Sequence, residues 1–219
     1  MRTLPARLDA VIFDWDGTLV DSAELSYRCF RRLFESFGIV FDRNAYAYTY
    51  SPNWIRTYEA VGLPEADWPE ADSRWVRFYR EEQSSLLPGA QQALDALRQQ
   101  GKARGLVTSG DRVRVHGELE RFGLHSAFGA IVCGQDVQNR KPHPEGLLVA
   151  LERLGVAAAA AAYVGDSPED MGMARAAGVF AVGIPGGFPN RASLLAAEPD
   201  LVAASVTEAM ETLRGGEAD

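Results

Sequence analysis

The chain has 219 residues, 47% of them hydrophobic and 24% charged, ordinary proportions for a soluble globular protein with enough length to bury a core without staples. Its net charge of −8 argues against nucleic acid or an anionic membrane as partner, since both demand a basic face. Cys29 and Cys133 are too few for a disulfide framework and read as buried reduced thiols. The opening MRTLPARLDAVIF lacks a signal-peptide core, and no run reaches the ~20 apolar residues of a spanning helix. A cytoplasmic protein is expected.

In chain order, the apolar run Ala10–Phe13 predicts a first strand. From Ser22 to about Leu87 no convincing strand follows. Leu25, Cys29, Leu33 and Phe37 fall on one helical stripe, and Trp75, Phe78 and Tyr79 on another, among many aromatics. This segment is read as a small helical insert whose aromatics form its own core. After Pro88 the chain alternates helices with short apolar strands, the signature of a parallel α/β sheet buried on both faces. Helices are expected over Gly89–Gln100, Asp111–Phe122, Glu145–Leu154 and Pro168–Ala177, each stopped by a glycine suited to the left-handed C-terminal position. Strands are expected at Gly105–Thr108, Ala130–Cys133, Ala162–Val164 and Val179–Ile184, with Leu201–Ala203 as an edge. The six alanines from Ala157 to Ala162 are read as a connector into the fourth strand.

Ligands of open α/β sheets bind beyond the carboxyl ends of the strands, and the polar residues stand at those places. Asp14 and Asp16 follow the first strand, Thr108-Ser109-Gly110 the second, Lys141 the third, and Asp166 through Asp170 the fourth. Several carboxylates in one cleft need a cation, and hard oxygen ligands suit Mg²⁺. With Lys141, such a site fits a phosphoryl group, and helix N-termini after Thr108 and Asp166 would add amide donors. One acid can attack phosphorus, and a second, two residues on, can protonate the leaving oxygen and then activate water.

DWDGTLVDS, the TSG after a strand, the lysine of KPHP and GDSPED together resemble the haloacid dehalogenase superfamily. Within it they are similar to the helical-cap branch of phosphoglycolate phosphatase and β-phosphoglucomutase. The resemblance covers about residues 8–21 and 88–213, with four motifs in family order. It implies a Rossmann-like core of residues 1–21 and 88–219, a cap of residues 22–87, and adjacent first and fourth strands. By resemblance, Asp14 is the nucleophile and a Mg²⁺ ligand, and Asp16 the general acid/base whose carbonyl also binds the metal. Thr108 and the Ser109 amide hold the phosphoryl group, Lys141 balances its charge, and Asp166 and Asp170 serve the metal, the latter directly or through water. Gly17 and Thr18 form the turn from core to cap.

An acid at Asp16 separates this chain from carbon-attacking dehalogenases, and a cap without lysine separates it from phosphonatases. The expected activity is Mg²⁺-dependent hydrolysis of a small phosphorylated metabolite, phosphoglycolate first, by a monomer or small homo-oligomer. A phosphomutase and a non-catalytic phosphate-binding module remain the alternatives. In the cap, Arg43, Arg56, Arg74, Arg77 and Arg80 could meet a substrate carboxylate. Arg56, near Trp54, is the favoured pair for specificity. His116, His125 and His143 are expected at surfaces or helix ends, Asp21 and Ser22 as structural hinge residues, and Glu169 pointing outward.

Overall fold

The computed structural model describes residues 2–215; Met1 and residues 216–219, assigned above to the core, lie outside the described residues. Among the described residues, eight strands and ten α-helices follow in order: β1 Ala10–Phe13, β2 Val20–Asp21, α1 Ala23–Glu35, α2 Arg43–Thr49, α3 Trp54–Ala60, α4 Trp68–Glu81 and β3 Ser85–Leu86. Then come α5 Ala90–Gln99, β4 Ala103–Val107, α6 Arg112–Arg121, β5 Ala130–Val132, α7 Glu145–Leu154 and β6 Ala161–Gly165. The described residues end with α8 Pro168–Ala177, β7 Phe180–Gly183, α9 Arg191–Ala196, β8 Leu201–Val202 and α10 Val206–Gly215.

Six strands form one parallel sheet in the order β5-β4-β1-β6-β7-β8. Alternation along β1 explains the layers. Val11 and Phe13 face the cluster shared with α5, α6 and α10, while Ala10 and Ile12 face the one shared with α7 and α8. The chain builds outward from β1 through β4 to β5, then crosses back to place β6 on β1's other side. That reversal is the switch point at which such sheets open a crevice. The pairing of β1 with β6, expected from the resemblance, runs Ala10 to Ala161 through Phe13 to Val164.

Helices α1–α4 bury a separate aromatic cluster that includes Phe30, Phe34, Phe41, Tyr46 and Tyr58. Arg28–Glu82 at 2.7 Å and Arg32–Glu81 at 2.5 Å tie α1 to the end of α4. The expectation of no strand in this region needs correction. β2 and β3 pair antiparallel where the chain leaves and re-enters the sheet layer, Val20 with Leu86 and Asp21 with Ser85. Two residues per strand are too few to show a period in sequence. The alanine run also divides, with a 3₁₀ turn over Ala158–Ala160 before β6 begins. Among the described residues no helix is long and apolar enough to cross a membrane.

Candidate active site

Asp14 follows the last residue of β1, and its backbone N–H donates to the Val164 carbonyl at 2.8 Å, which fixes it beside the end of β6. Asp166 follows β6, and Asp170 lies in the first turn of α8. One oxygen from each of these three buried carboxylates lies within 4.8 Å of the others. Lys141, in the loop between β5 and α7, donates to Asp14 Oδ1 at 2.5 Å and Tyr163 Oη at 2.7 Å, and its Nζ is 2.7 Å from Asp170 Oδ1. Three acids and one ammonium are thus enclosed together. Burial, offset in part by Lys141, pushes the Asp14 carboxyl up to about 7. Asp166 is also held well above the usual carboxylate range, by burial and then by Asp14 and Asp170. Burial opposes the Lys141 charge, but Asp14 and Asp170 outweigh it and raise its pKa.

The donor set fits a hard divalent cation. Asp166 Oδ2 is buried with no hydrogen-bond partner among the described residues, an arrangement that leaves desolvation uncompensated. The space beside it is kept by glycines: a Cβ on Gly17, whose φ is +76°, would lie 2.3 Å from Asp166 Oδ2, and one on Gly186 would lie 2.5 Å from it. Asp170 differs from the other two. Its Oδ2 accepts from the Asp166 and Ser167 amides and the Ser167 hydroxyl, while its Oδ1 faces Lys141 and the Tyr163 hydroxyl. Asp14 and Asp166 therefore hold the freer oxygens.

Thr108 follows β4, its Oγ1 accepting the Gly110 N–H at 3.0 Å, and Thr108 and Ser109 line a cavity that Asp14 also lines. The anion-binding amides expected after Thr108 and Asp166 are largely occupied. At α8 a reciprocal Ser167–Asp170 capping box takes them. At α6 the Arg112 N–H goes to Gln135 Oε1 and the Arg114 N–H to Asp111 Oδ1. Capping satisfies the same orphan donors that a phosphate would use.

Asp16 stands apart from the three-acid cluster. Arg114, on α6, donates to Asp16 Oδ1 at 3.0 Å and to Oδ2 at 2.5 Å, and to Glu118 Oε2 at 3.0 Å. Its guanidinium lies 4.6 Å from the Tyr79 ring centroid of α4, and Trp15 Nε1 donates to the same Glu118 at 2.8 Å. Arg114, Glu118 and Tyr163 were not singled out in sequence. The Arg114–Glu118 spacing of four was visible, but the burial that gives it meaning was not. The one available signal for Tyr163 was a polar-tipped ring in the apolar run ahead of Gly165-Asp166.

A cavity of about 230 Å³ opens above Asp14 between the sheet and helices α1–α4. Trp54 lines it, donating from Nε1 to Asp72 Oδ1 at 2.8 Å. Arg56, its expected companion, is exposed and absent from the walls; the helical turn carries it toward Glu169, whose charge it stabilises. Glu169 in turn does not point outward: it is half-buried, with Oε2 enclosed and unpartnered and its pKa raised by burial. Arg43 and Arg74 are paired with Glu24 and Glu70, and Arg77 lies over Phe78. His116 and His125 contact each other at 3.1 Å near the surface, and His143 is exposed. Both cysteines are free and buried, which pushes their thiols up to about 12.

Residues 11–184 match the family model for haloacid dehalogenase-like hydrolases. The chain is 30% identical to the phosphoglycolate phosphatase of Escherichia coli K12, over 93% of this chain and 91% of that protein. Among solved structures it is similar to a Bacteroides fragilis protein assigned as a haloacid dehalogenase-like hydrolase, at 27% identity and TM-score 0.82, covering 91% of this chain and 98% of that one. It is also similar to a Thermotoga maritima protein assigned as a β-phosphoglucomutase, at 26% identity and TM-score 0.76, covering 95% and 99%.

Proposed function

We propose, for a chain that belongs to the haloacid dehalogenase-like hydrolase family, that it is a Mg²⁺-dependent phosphatase of small phosphomonoesters working through an aspartyl-phosphate. The observation that carries this reading is the buried group of Asp14, Asp166 and Asp170 facing a single ammonium, Lys141. That imbalance suits a divalent cation and a phosphoryl dianion bound together. Residues 1–21 and 88–219 would act as the core and residues 22–87 as the cap.

Asp14 attacks phosphorus, forming an O–P bond as the bond to the leaving alcohol breaks. Lys141, the Thr108 hydroxyl and the Ser109 amide hold the phosphoryl oxygens and the charge that develops on them. Asp16 gives its proton to the departing alkoxide. It then takes a proton from the water that attacks the aspartyl-phosphate, releasing inorganic phosphate and restoring Asp14. Asp14, Asp166 and the Asp16 carbonyl would hold the Mg²⁺, with Asp170 positioning Lys141 and reaching the ion through water; the ion supplies charge stabilisation to the phosphoryl group. Because Asp16 rests as a carboxylate in the fork of Arg114, it must leave that pair and take up a proton from solvent before it can deliver one, and it regains that proton from the attacking water in each later turnover.

The purified protein is expected to hydrolyse p-nitrophenyl phosphate with Mg²⁺ and to lose turnover when the metal is chelated. Asp14→Asn should abolish it. Turnover by Asp14→Asn, or activity indifferent to chelation, overturns the mechanism. The likeness to the Thermotoga protein sustains one alternative, phosphoryl return to a sugar. Isomerisation of a hexose 1-phosphate without phosphate release would favour it.

A further inference from the structure

Arg140 stands next to Lys141 in the loop between β5 and α7 and lines the cavity above Asp14. Its backbone is clamped on both sides. Glu145, at the start of α7, accepts the Gln138 N–H at 2.8 Å and the Asn139 N–H at 2.9 Å, and the Arg140 carbonyl accepts the His143 N–H at 2.9 Å. The Arg140 guanidinium lies 4.5 Å from the centroid of the Trp54 ring, against the cap wall. Trp54 is held in turn, its Nε1 donating to Asp72 Oδ1 at 2.8 Å. A side chain that rests on a fixed ring and springs from a fixed loop loses little further freedom when it binds.

Among the described residues the exposed Arg140 side chain has no ion pair and no hydrogen bond; its contact is the ring face. The other cations of the cavity are engaged. The Lys141 ammonium has three N–H donors, and oxygens of Asp14, Tyr163 and Asp170 surround it. Arg114 is held by Asp16 and Glu118. Asp72 feels the Arg140 charge but forms no ion pair with it, and its Oδ1 already accepts from Trp54 and Tyr58. A guanidinium on an aromatic face keeps N–H donors for an anion, and its fork matches carboxylate or phosphoryl oxygens. Consecutive Cα atoms are about 3.8 Å apart, so Lys141 beside Asp14 and Arg140 against the cap can serve two ends of one small molecule.

We propose that Arg140 is the specificity-determining residue of this site, binding a second anion, carboxylate or phosphoryl, on the alcohol half of the phosphomonoester. This rests on the reading of Asp14 as the phosphoryl acceptor. It moves recognition of the alcohol's charge from the cap arginines to the core loop that carries Lys141, with Trp54 as the platform beneath the guanidinium.

The test measures kcat/KM at one Mg²⁺ concentration for phosphoglycolate, ethylene glycol bisphosphate and the singly charged counterpart, ethylene glycol monophosphate, with p-nitrophenyl phosphate as a general phosphatase substrate. At least one of the two esters with a second anion should exceed the monophosphate by about 10-fold, the scale of one charge-assisted pair in a half-open cavity. The ester that shows the preference tells carboxylate from phosphoryl. In Arg140→Gln the preference should vanish, chiefly through KM, and Arg140→Lys should restore part of it, because the charge returns without the fork. Added salt should weaken the preference of the unaltered protein. Each readout is a ratio within one sample, so partial unfolding of a variant does not produce it. No preference for either ester with a second anion, or a preference that survives in Arg140→Gln, overturns the inference and leaves the phosphatase reading standing. Failure to hydrolyse any of the four esters sinks the phosphatase reading and the inference with it.

Discussion

Asp14 and Asp16 are two residues apart and have different surroundings. Asp14 shares its burial with Lys141, Asp166 and Asp170, whereas Asp16 faces Arg114 at the edge of the cap. Trp15 between them turns into the core at full burial and anchors the stretch through Glu118. Arg114 therefore decides where the Asp16 carboxylate waits. Arg114→Met should cost about 3 kcal/mol in urea denaturation, because it strands Asp16 and Glu118 without their shared cation. Its kinetic effect should depend on the leaving group, with about a 100-fold loss on an alkyl phosphate and under about 10-fold on p-nitrophenyl phosphate, whose leaving group needs no proton. The ratio of the two activities is internal to one sample, so it does not depend on how much protein is folded. Equal losses on both esters would show that Arg114 does not act through Asp16.

At the scale of elements, α8 joins stability to the site. Its N-terminal box uses Ser167 as cap, and the same Asp170 that closes the box also faces Lys141 through its other oxygen. Ser167→Ala should lower stability by about 1 kcal/mol, the usual cost of a lost N-cap. It should also reduce kcat more than it raises KM for p-nitrophenyl phosphate, since Asp170 would be freer to rotate away from Lys141. An unchanged kcat would restrict the box to a structural part. The helices of this core were legible before folding, since their apolar stripes and stop glycines are local. The β2–β3 pairing was not, because only the meeting of Val20 with Leu86 across the whole insert makes either a strand.

For the whole molecule, the three-acid cluster links metal, pH and stability. Asp14 has an ordinary pKa of 3.8 and is pushed up to about 7 by burial in the fold. Between those values the native state binds more protons than the unfolded one, so this group's contribution to stability falls as pH rises. A cation competes for the same oxygens. The rise in Tm on adding Mg²⁺ should be several degrees near pH 7.5 and smaller near pH 5.5. The metal-free Tm should fall across that interval, and Asp14→Asn should weaken both trends. A Mg²⁺-induced shift independent of pH would count against these carboxylates as the binding groups.

The core motifs were readable because each is a short run whose position after a strand follows from local patterning. Asp14, Thr108, Lys141 and Asp166 needed only the strand ends to be recognised and the strands to be parallel. The cap was unreadable for the opposite reason. Its stripes announced helices, but whether an arginine or a tryptophan faces the substrate depends on the rotation of each helix against the sheet. Arg56 and Trp54 lie two residues apart on α3, and the fold sends one to solvent beside Glu169 and the other into the cavity over Asp72. The sequence by itself determined the α/β class, the order of the strands along the chain and which side chains end them, since these depend on periodicity and punctuation. Only the tertiary structure decided that Arg114 grips Asp16, that Asp170 is largely engaged by hydrogen bonds, and that the cap side of the cavity is walled mainly by aromatic rings. Those are contacts between segments far apart in the chain, and they exist only once burial has chosen which face of each element is inside.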